Sequence, residues 1–302
     1  MDSERKNKIS INSIRKQINK HKKKYTLDEL EKKVLSSKNC ALKITIKNDL
    51  VKVIYIGKYK KRRANNLILL IKKTVLKYKN INTTIFCNIN DWSNINDDEL
   101  PIFVYSAFKN TKNFVIPDYL FLNDYSKKNG RNSDNDTHNN MVLKFRDKIK
   151  FKDKKSKCFF RAGTSKNKVI LGMFSNNDIV DAERSQNNFM QYEEMFKHRY
   201  TISHYMKWDS VYFFLKSDIL VFMYEGFNTY LWYDLFLEDN KHYLSFKNEE
   251  EFMNKFNYIE DNPDIAMKII KESSNICDEL FKYENAIDYM GLLLLEYQKI
   301  ID

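Results

Sequence analysis

The sequence predicts an α/β protein of two domains. Three observations carry this reading. The 302 residues match the length of about two domains. Strand-like and helix-like apolar patterns alternate in both halves. A polar stretch over 123–140, NDYSKKNGRNSDNDTHNN, parts the halves. Apolar residues make up 43% of the chain, enough for a real core, and Gly (6) and Pro (3) are too scarce for a low-complexity chain.

Taken in order, residues 1–26 read as a flexible basic tail. A helix is expected from Thr26, with Asp28 and Glu29 in its first turn, where acids suit the helix dipole. Ala41–Lys47 and Val51–Ile56 alternate as half-buried strands do. Ala64–Tyr78 sets Leu67, Leu70, Ile71 and Leu76 on one helical face, and Thr84–Ile89 and Ile102–Ser106 read as short strands. That rhythm points to a parallel sheet covered by helices. After the polar break and the basic run Lys148–Lys157, a strand begins at Cys158–Arg161. Helix signals follow at 166–174, 188–198 and 209–217, with strand signals at 200–203, 219–223 and 242–246. Two closing helices are expected at about 262–274 and 279–300. The expected domains are therefore 27–150, joined by the last helix over 279–302, and 151–278.

The net charge of +12 is concentrated. Residues 1–24 carry nine Lys/Arg against two acids, and Lys58, Lys60, Lys61, Arg62 and Arg63 form a second basic run. Such runs hold nucleic acid or an anionic surface in some proteins and are solvated in most. The aromatics are not interleaved with them as a base-stacking platform requires. Cys40, Cys87, Cys158 and Cys277 lie far apart, without CxxC or Cys/His metal spacing, and read as buried thiols of a reducing compartment. The sequence shows no secretory h-region and no apolar stretch long enough for a bilayer, so a cytoplasmic protein is expected.

The segment with most chemistry is FFRAGTS, Phe159–Ser165, where a strand meets a helix. Such a junction offers free backbone N–H groups to a phosphate. Arg161 is suited to a forked, charge-assisted contact, and Thr164 and Ser165 to a cap or a phosphate oxygen. The same features also describe an ordinary capped helix. Asp134-Asn135-Asp136 has the DxD form of a divalent-metal site, but stands in the most polar loop of the chain. His198 and His204 do not share a helical face, and no metal ligand set is expected. Neither a P-loop nor GxGxxG occurs.

The order of several segments carries more weight. INDWS (Ile89–Ser93) precedes PIFVYSAFKNTKNFVIPDY (Pro101–Tyr119), then FFRAGTS, IVDAE (Ile179–Glu183), HRYTIS (His198–Ser203), WDSVYFFLKSDILVF (Trp208–Phe222) and KHYLSF (Lys241–Phe246). This succession resembles glycosyltransferase family 90, which includes the Rumi-like protein O-glucosyltransferases and the capsule-associated xylosyltransferases. The resemblance covers residues about 80–300.

It implies two Rossmann-like domains facing across a cleft, the GT-B architecture. It also implies an inverting, metal-independent transfer of glucose or xylose from a UDP-sugar, which is a substrate and not a cofactor, to a protein or glycan acceptor. Such a reaction needs a base for the acceptor hydroxyl and cationic or N–H donors for the departing diphosphate. Arg161, Gly163, Thr164, Ser165, Lys207 and Ser210 are the implied donor-binding residues, with Lys207 standing in for a family arginine. His242 matches the family's His-Tyr pair. The family's catalytic aspartate falls at Asn113, and an amide cannot act as that base. Asp118, after Pro117, and Asp91 are the remaining candidates. A binding module without turnover, and a basic nucleic-acid-binding protein, stay as alternatives. The acceptor is expected in the cytoplasm, a host's cytoplasm if the chain is viral.

Overall fold

A computed structural model describes residues 11–19, 21, 24–37, 42–56, 61–89, 100–118, 121–122, 138–162, 168–184, 190–203, 213–226 and 229–301. These residues form a mixed α/β fold with two five-stranded sheets and a two-stranded ribbon. The chain forms two compact units. The first comprises Met1–Arg131, Thr229–Phe236 and Leu280–Asp302; the second comprises Asn132–Asn228 and Leu237–Glu279.

In the first unit, the stretch up to Val115 holds, among the described residues, helices α1 (Ile11–Ile18), α2 (Leu27–Ser37) and α3 (Lys61–Lys77) and six strands. These are β1 (Leu42–Lys47), β2 (Leu50–Tyr55), β3 (Thr83–Asn88), β4 (Phe103–Val104), β5 (Ser106–Phe108) and β6 (Phe114–Val115). The sheet order is β2-β1-β3-β4-β6. The expectation of a parallel sheet holds only in part. β3, β4 and β6 run parallel, but β1 is antiparallel to both β2 and β3. The cause is local: Asn48 and Asp49 have φ of 49° and 62°, as the two-residue turn of a tight hairpin requires. Asn and Asp tolerate that left-handed geometry better than most residues.

The basic tail also needs correction, because from Ile11 onward it is part of the fold. Ile14 and Ile18 are buried, and Gln17 donates to the Tyr289 hydroxyl at 2.9 Å. Tyr289 lies on helix α9 (Tyr283–Tyr297), which packs against α1 and α3 through Ala286, Tyr289, Met290, Leu293 and Leu294. Any side chain on Gly291 would run into the Tyr78 ring, so glycine permits the close approach of α9. Tyr78 in turn donates to Asp288 at 2.7 Å. Arg63, counted in the second basic run, is buried and donates to the Ile89 carbonyl at 3.2 Å. Strand β11 (Thr229–Leu231) pairs antiparallel with β5 and delivers the buried Trp232 onto Phe121, Phe281 and Tyr289.

The second unit holds helix α4 (His138–Phe145), β7 (Lys155–Ala162), α5 (Lys168–Met173), β8 (Val180–Arg184), α6 (Tyr192–Met195) and β9 (His198–Ser203). β10 (Leu220–Tyr224), β12 (Leu244–Phe246), α7 (Glu249–Asp261) and most of α8 (Pro263–Leu280) complete it. Its sheet is wholly parallel, in the order β12-β10-β9-β7-β8. Phe160, Tyr200, Phe222 and Phe246 on one face meet Phe252, Phe256 and Ile259 of α7 and Ile269 of α8. Several sequence-based boundaries shift. Residues 138–140 of the polar break are helical, the helix expected over 188–198 shrinks to 192–195, and β8 and α7 were not anticipated. No helix among the described residues is long and apolar enough to cross a membrane.

Candidate functional site

The parallel sheet of the second unit contains a topological switch point. Numbered by chain order within that sheet, its strands run 2-1-3-4-5, and the order reverses between β7 and β9. In open α/β sheets, ligands bind outside the carboxyl ends of the strands at this switch point. The chain leaves β7 at Ala162 and enters α5 at Lys168, so Gly163, Thr164 and Ser165 belong to the link leaving one flanking strand. It leaves β9 at Ser203, so Lys207 and Ser210 belong to the link leaving the other. These five residues lie outside the described residues. α5 is only six residues long, so its dipole is small.

Arg161 sits on β7, one residue before its end, and is 8% exposed. Its guanidinium grips Asp181 of β8, with Nη1 to Oδ1 at 2.9 Å and Nη2 to Oδ2 at 2.7 Å. Nη1 also donates to the carbonyls of Asp181 (2.8 Å) and Phe160 (3.1 Å). The fork expected to meet a diphosphate therefore meets a carboxylate of its own sheet. Asp181 was visible as part of IVDAE, but its pairing depends on the register of two parallel strands, with Phe159 opposite Asp181.

The two histidines of interest have structural partners. His198 Nδ1 lies 3.0 Å from the Glu194 carbonyl, which can only accept, so that nitrogen carries the proton. Burial pushes its pKa down. His242 Nδ1 accepts from the Glu238 N–H at 2.8 Å, and burial lowers its pKa too. At the amino ends of the strands, Glu260 binds the hydroxyls of Tyr200 and Ser156 and the Arg199 guanidinium. Burial opposes its ionisation, but these partners win and hold its carboxyl below the usual range.

In the first unit, Asn113 and Asp118 are each 1% exposed. Asn113 directly precedes β6, whereas Asp118 comes three residues after its end. Five extended residues span up to roughly 17 Å, so the two side chains serve opposite ends of one strand. Asp118 Oδ1 accepts from the Phe121 N–H at 3.1 Å and its carbonyl accepts from the Leu122 N–H, a capping arrangement. Asp91 lies outside the described residues; the chain leaves the parallel strand β3 three residues before it. Asp134 and Asp136 likewise lie outside them.

No curated protein matches the chain. A family model described as glycosyl transferase family 90 matches residues 10–302, which takes in the folded α1 as well as both sheets. The chain therefore belongs to glycosyl transferase family 90.

Proposed function

We propose that this glycosyltransferase is inverting and metal-independent, and that it moves glucose or xylose from a UDP-sugar to a protein or glycan acceptor. The observation that carries the reading is the family match over residues 10–302, and it is supported by the switch point between β7 and β9, the strands after which Gly163, Thr164, Ser165, Lys207 and Ser210 follow in the sequence. Backbone N–H groups and hydroxyls of the first link, with the Lys207 ammonium of the second, would hold the diphosphate. Arg161, locked to Asp181, would set the end of β7 from which the first link departs. The GT-B arrangement, with two such halves facing across a cleft, is part of the proposal. So is a cytoplasmic acceptor, which suits the buried thiols Cys87, Cys158 and Cys277. Burial pushes the thiols of Cys158 and Cys277 up, which keeps them protonated and unreactive.

The test is calorimetry and transfer assays against a panel of nucleotide sugars. UDP-glucose or UDP-xylose should bind, and Lys207→Ala should weaken that binding by about 1.5–3 kcal/mol, the value of one charge-assisted contact. A chain that ignores every UDP-sugar rejects the reading. Binding without transfer supports a second one, a donor-binding module. The observation behind it is the amide of Asn113 at the family's carboxylate position. Transfer gained by Asn113→Asp would then identify the missing base.

A further inference from the structure

The second unit carries a cavity of about 630 Å³. Part of its lining is helix α8, whose Met267, Ile270, Lys271 and Ser274 recur at the spacing of a single helical face. Another part is the link from α4 to β7, with Ile149, Lys150, Phe151 and Lys152. The turn Ser217-Asp218, ahead of β10, completes it. The link precedes β7 and the turn precedes β10, so the cavity lies at the amino edge of the parallel sheet. The proposed donor links leave the carboxyl edge, and the eight residues of β7 set the two edges about 25 Å apart.

The charges around the cavity do not balance. Asp218 is held through one oxygen: Oδ2 binds the Lys154 ammonium at 2.8 Å and accepts from the Asp147 N–H at 3.0 Å. Lys154 is buried, and its ammonium also donates to the Asp218 carbonyl at 3.1 Å. Arg146, also in the lining, is matched by Asp147 and Asp278. Lys150, Lys152 and Lys271 are exposed and have no acidic partner among the described residues. Asp218 Oδ1 and the Ser274 hydroxyl are buried and also lack a partner among the described residues. The remaining side chains of the lining, Ile149, Phe151, Met267 and Ile270, are apolar. Phe151 is fixed from behind, with the Arg199 guanidinium over its ring at 5.5 Å and Tyr200 edge-on at 6.0 Å.

We propose that this cavity binds a small phosphate monoester of a hydroxylated ring compound, either a nucleoside phosphate or a sugar phosphate. Three ammonium groups without acids call for more than one negative charge, which a phosphate monoester carries at neutral pH and a carboxylate does not. An anion beside Asp218 would be repelled, so the phosphate stays with the lysines. A carboxylate oxygen can only accept, so an uncharged donor such as a ring hydroxyl belongs beside Asp218. The Ser274 hydroxyl can give or take a further bond. A ring with apolar faces suits the side chains between the two ends, and the volume falls in the range of small-molecule sites. The cavity lies within the second unit and away from the proposed donor links, so its ligand is an effector rather than a substrate.

The test is isothermal calorimetry of the full chain with adenosine monophosphate and glucose phosphate, set against adenosine, glucose and inorganic phosphate. At least one ester should bind about tenfold or more tightly than its unphosphorylated parent and than inorganic phosphate, the fold-change of one charge-assisted contact. The tighter ester identifies the ring, and added salt should weaken it. Lys271→Glu, at an exposed position, should lower that affinity by about tenfold or more with an unchanged circular dichroism spectrum. If Lys271→Glu unfolds the chain, Lys150→Glu on the link takes its place with the same expected loss. Met267→Trp narrows the cavity without changing its charge, and should weaken the ester while leaving inorganic phosphate as it was. Lys207→Ala, in the donor link, should leave the affinity unchanged. Binding that is lost in Lys207→Ala and kept in Lys271→Glu overturns the proposal in favour of the donor site. Esters that bind no more tightly than inorganic phosphate, or not at all, overturn it as well. Octanoate bound more tightly than either ester overturns it in favour of an amphipathic carboxylate.

Discussion

Arg161 and Asp181 are joined by a two-pronged ion pair, 2.9 and 2.7 Å long, across neighbouring parallel strands at the carboxyl edge of the second sheet. Arg161 is nearly buried, whereas about a third of the Asp181 side chain is exposed. The pair thus has one foot in the core and one near solvent, and it fixes the spacing of the strands from which the proposed donor loop departs.

Arg161→Ala should therefore act first on stability. Losing hydrogen bonds to a charged partner costs about 1.5–3 kcal/mol. Urea unfolding should show that loss, and Asp181→Ala should show one of similar size. The double variant should cost little more than either single one, because the two residues act as a unit. Additive losses would mean that Arg161 makes its main contact elsewhere.

The two candidate bases should separate cleanly. Asp118 is buried and caps the turn at Phe121, so Asp118→Asn should cost about 1 kcal/mol of stability, as a lost cap does. Asp91→Asn should lower turnover by about 10²-fold, as loss of a general base does. Comparing unfolding midpoints with transfer rates for both variants checks this. A stable Asp118→Asn protein without activity would reverse the assignment.

Acid should lower the stability of the protein in two steps. Burial depresses the pKa of His198 and His242 in the folded chain, so the unfolded chain binds protons first. Their contribution is complete above the ordinary histidine value of about 6.5 and is lost as pH falls below it. Glu194, held down to about 2 by hydrogen bonds from Lys155 and Lys197, and Glu260 contribute above the ordinary carboxylate value. That contribution is lost as pH falls from about 4.5 toward 2. Urea midpoints measured from pH 8 to 3 should fall in two steps, and His198→Gln should shrink the upper one.

Chelator should leave transfer nearly unchanged, because backbone N–H groups and Lys207 would stand where another enzyme uses a divalent ion. Assays with and without EDTA, then with added Mn²⁺ or Mg²⁺, test this. A strict requirement for either metal would bring Asp134 and Asp136 into the donor site.

Much of this organisation was legible in the sequence, and the illegible parts share a cause. β1, β3, β7, β9 and β10 stand out because their apolar runs are continuous or alternate strictly. α7 was hidden because its buried Phe252, Phe256 and Ile259 are diluted by Glu249, Glu250 and Glu251 at its start, even though those acids suit a helix N-terminus. The turn at Asn48 and Asp49 was readable in principle from residue type, but the antiparallel sense it imposes on β1 and β2 overrode the strand–helix–strand rhythm around it. The engagement of Arg161 by Asp181, and of Val115 by Gln17 and Tyr289, was beyond reach. Each joins residues from separate elements, and strand register is not written in spacing.

The return of Thr229–Phe236 to the first unit has a consequence for biosynthesis. That unit is encoded in three separated stretches, and its core includes Trp232 and the whole inner face of α9. On a ribosome adding roughly 5–20 residues per second, β1 to β6 emerge early but wait for their last partners. The second unit is encoded between those stretches and has all its strands and helices once Glu279 has emerged. The part of the protein made later is thus the first able to close. The earliest strands therefore wait, with their core unfinished, until the end of the chain is made.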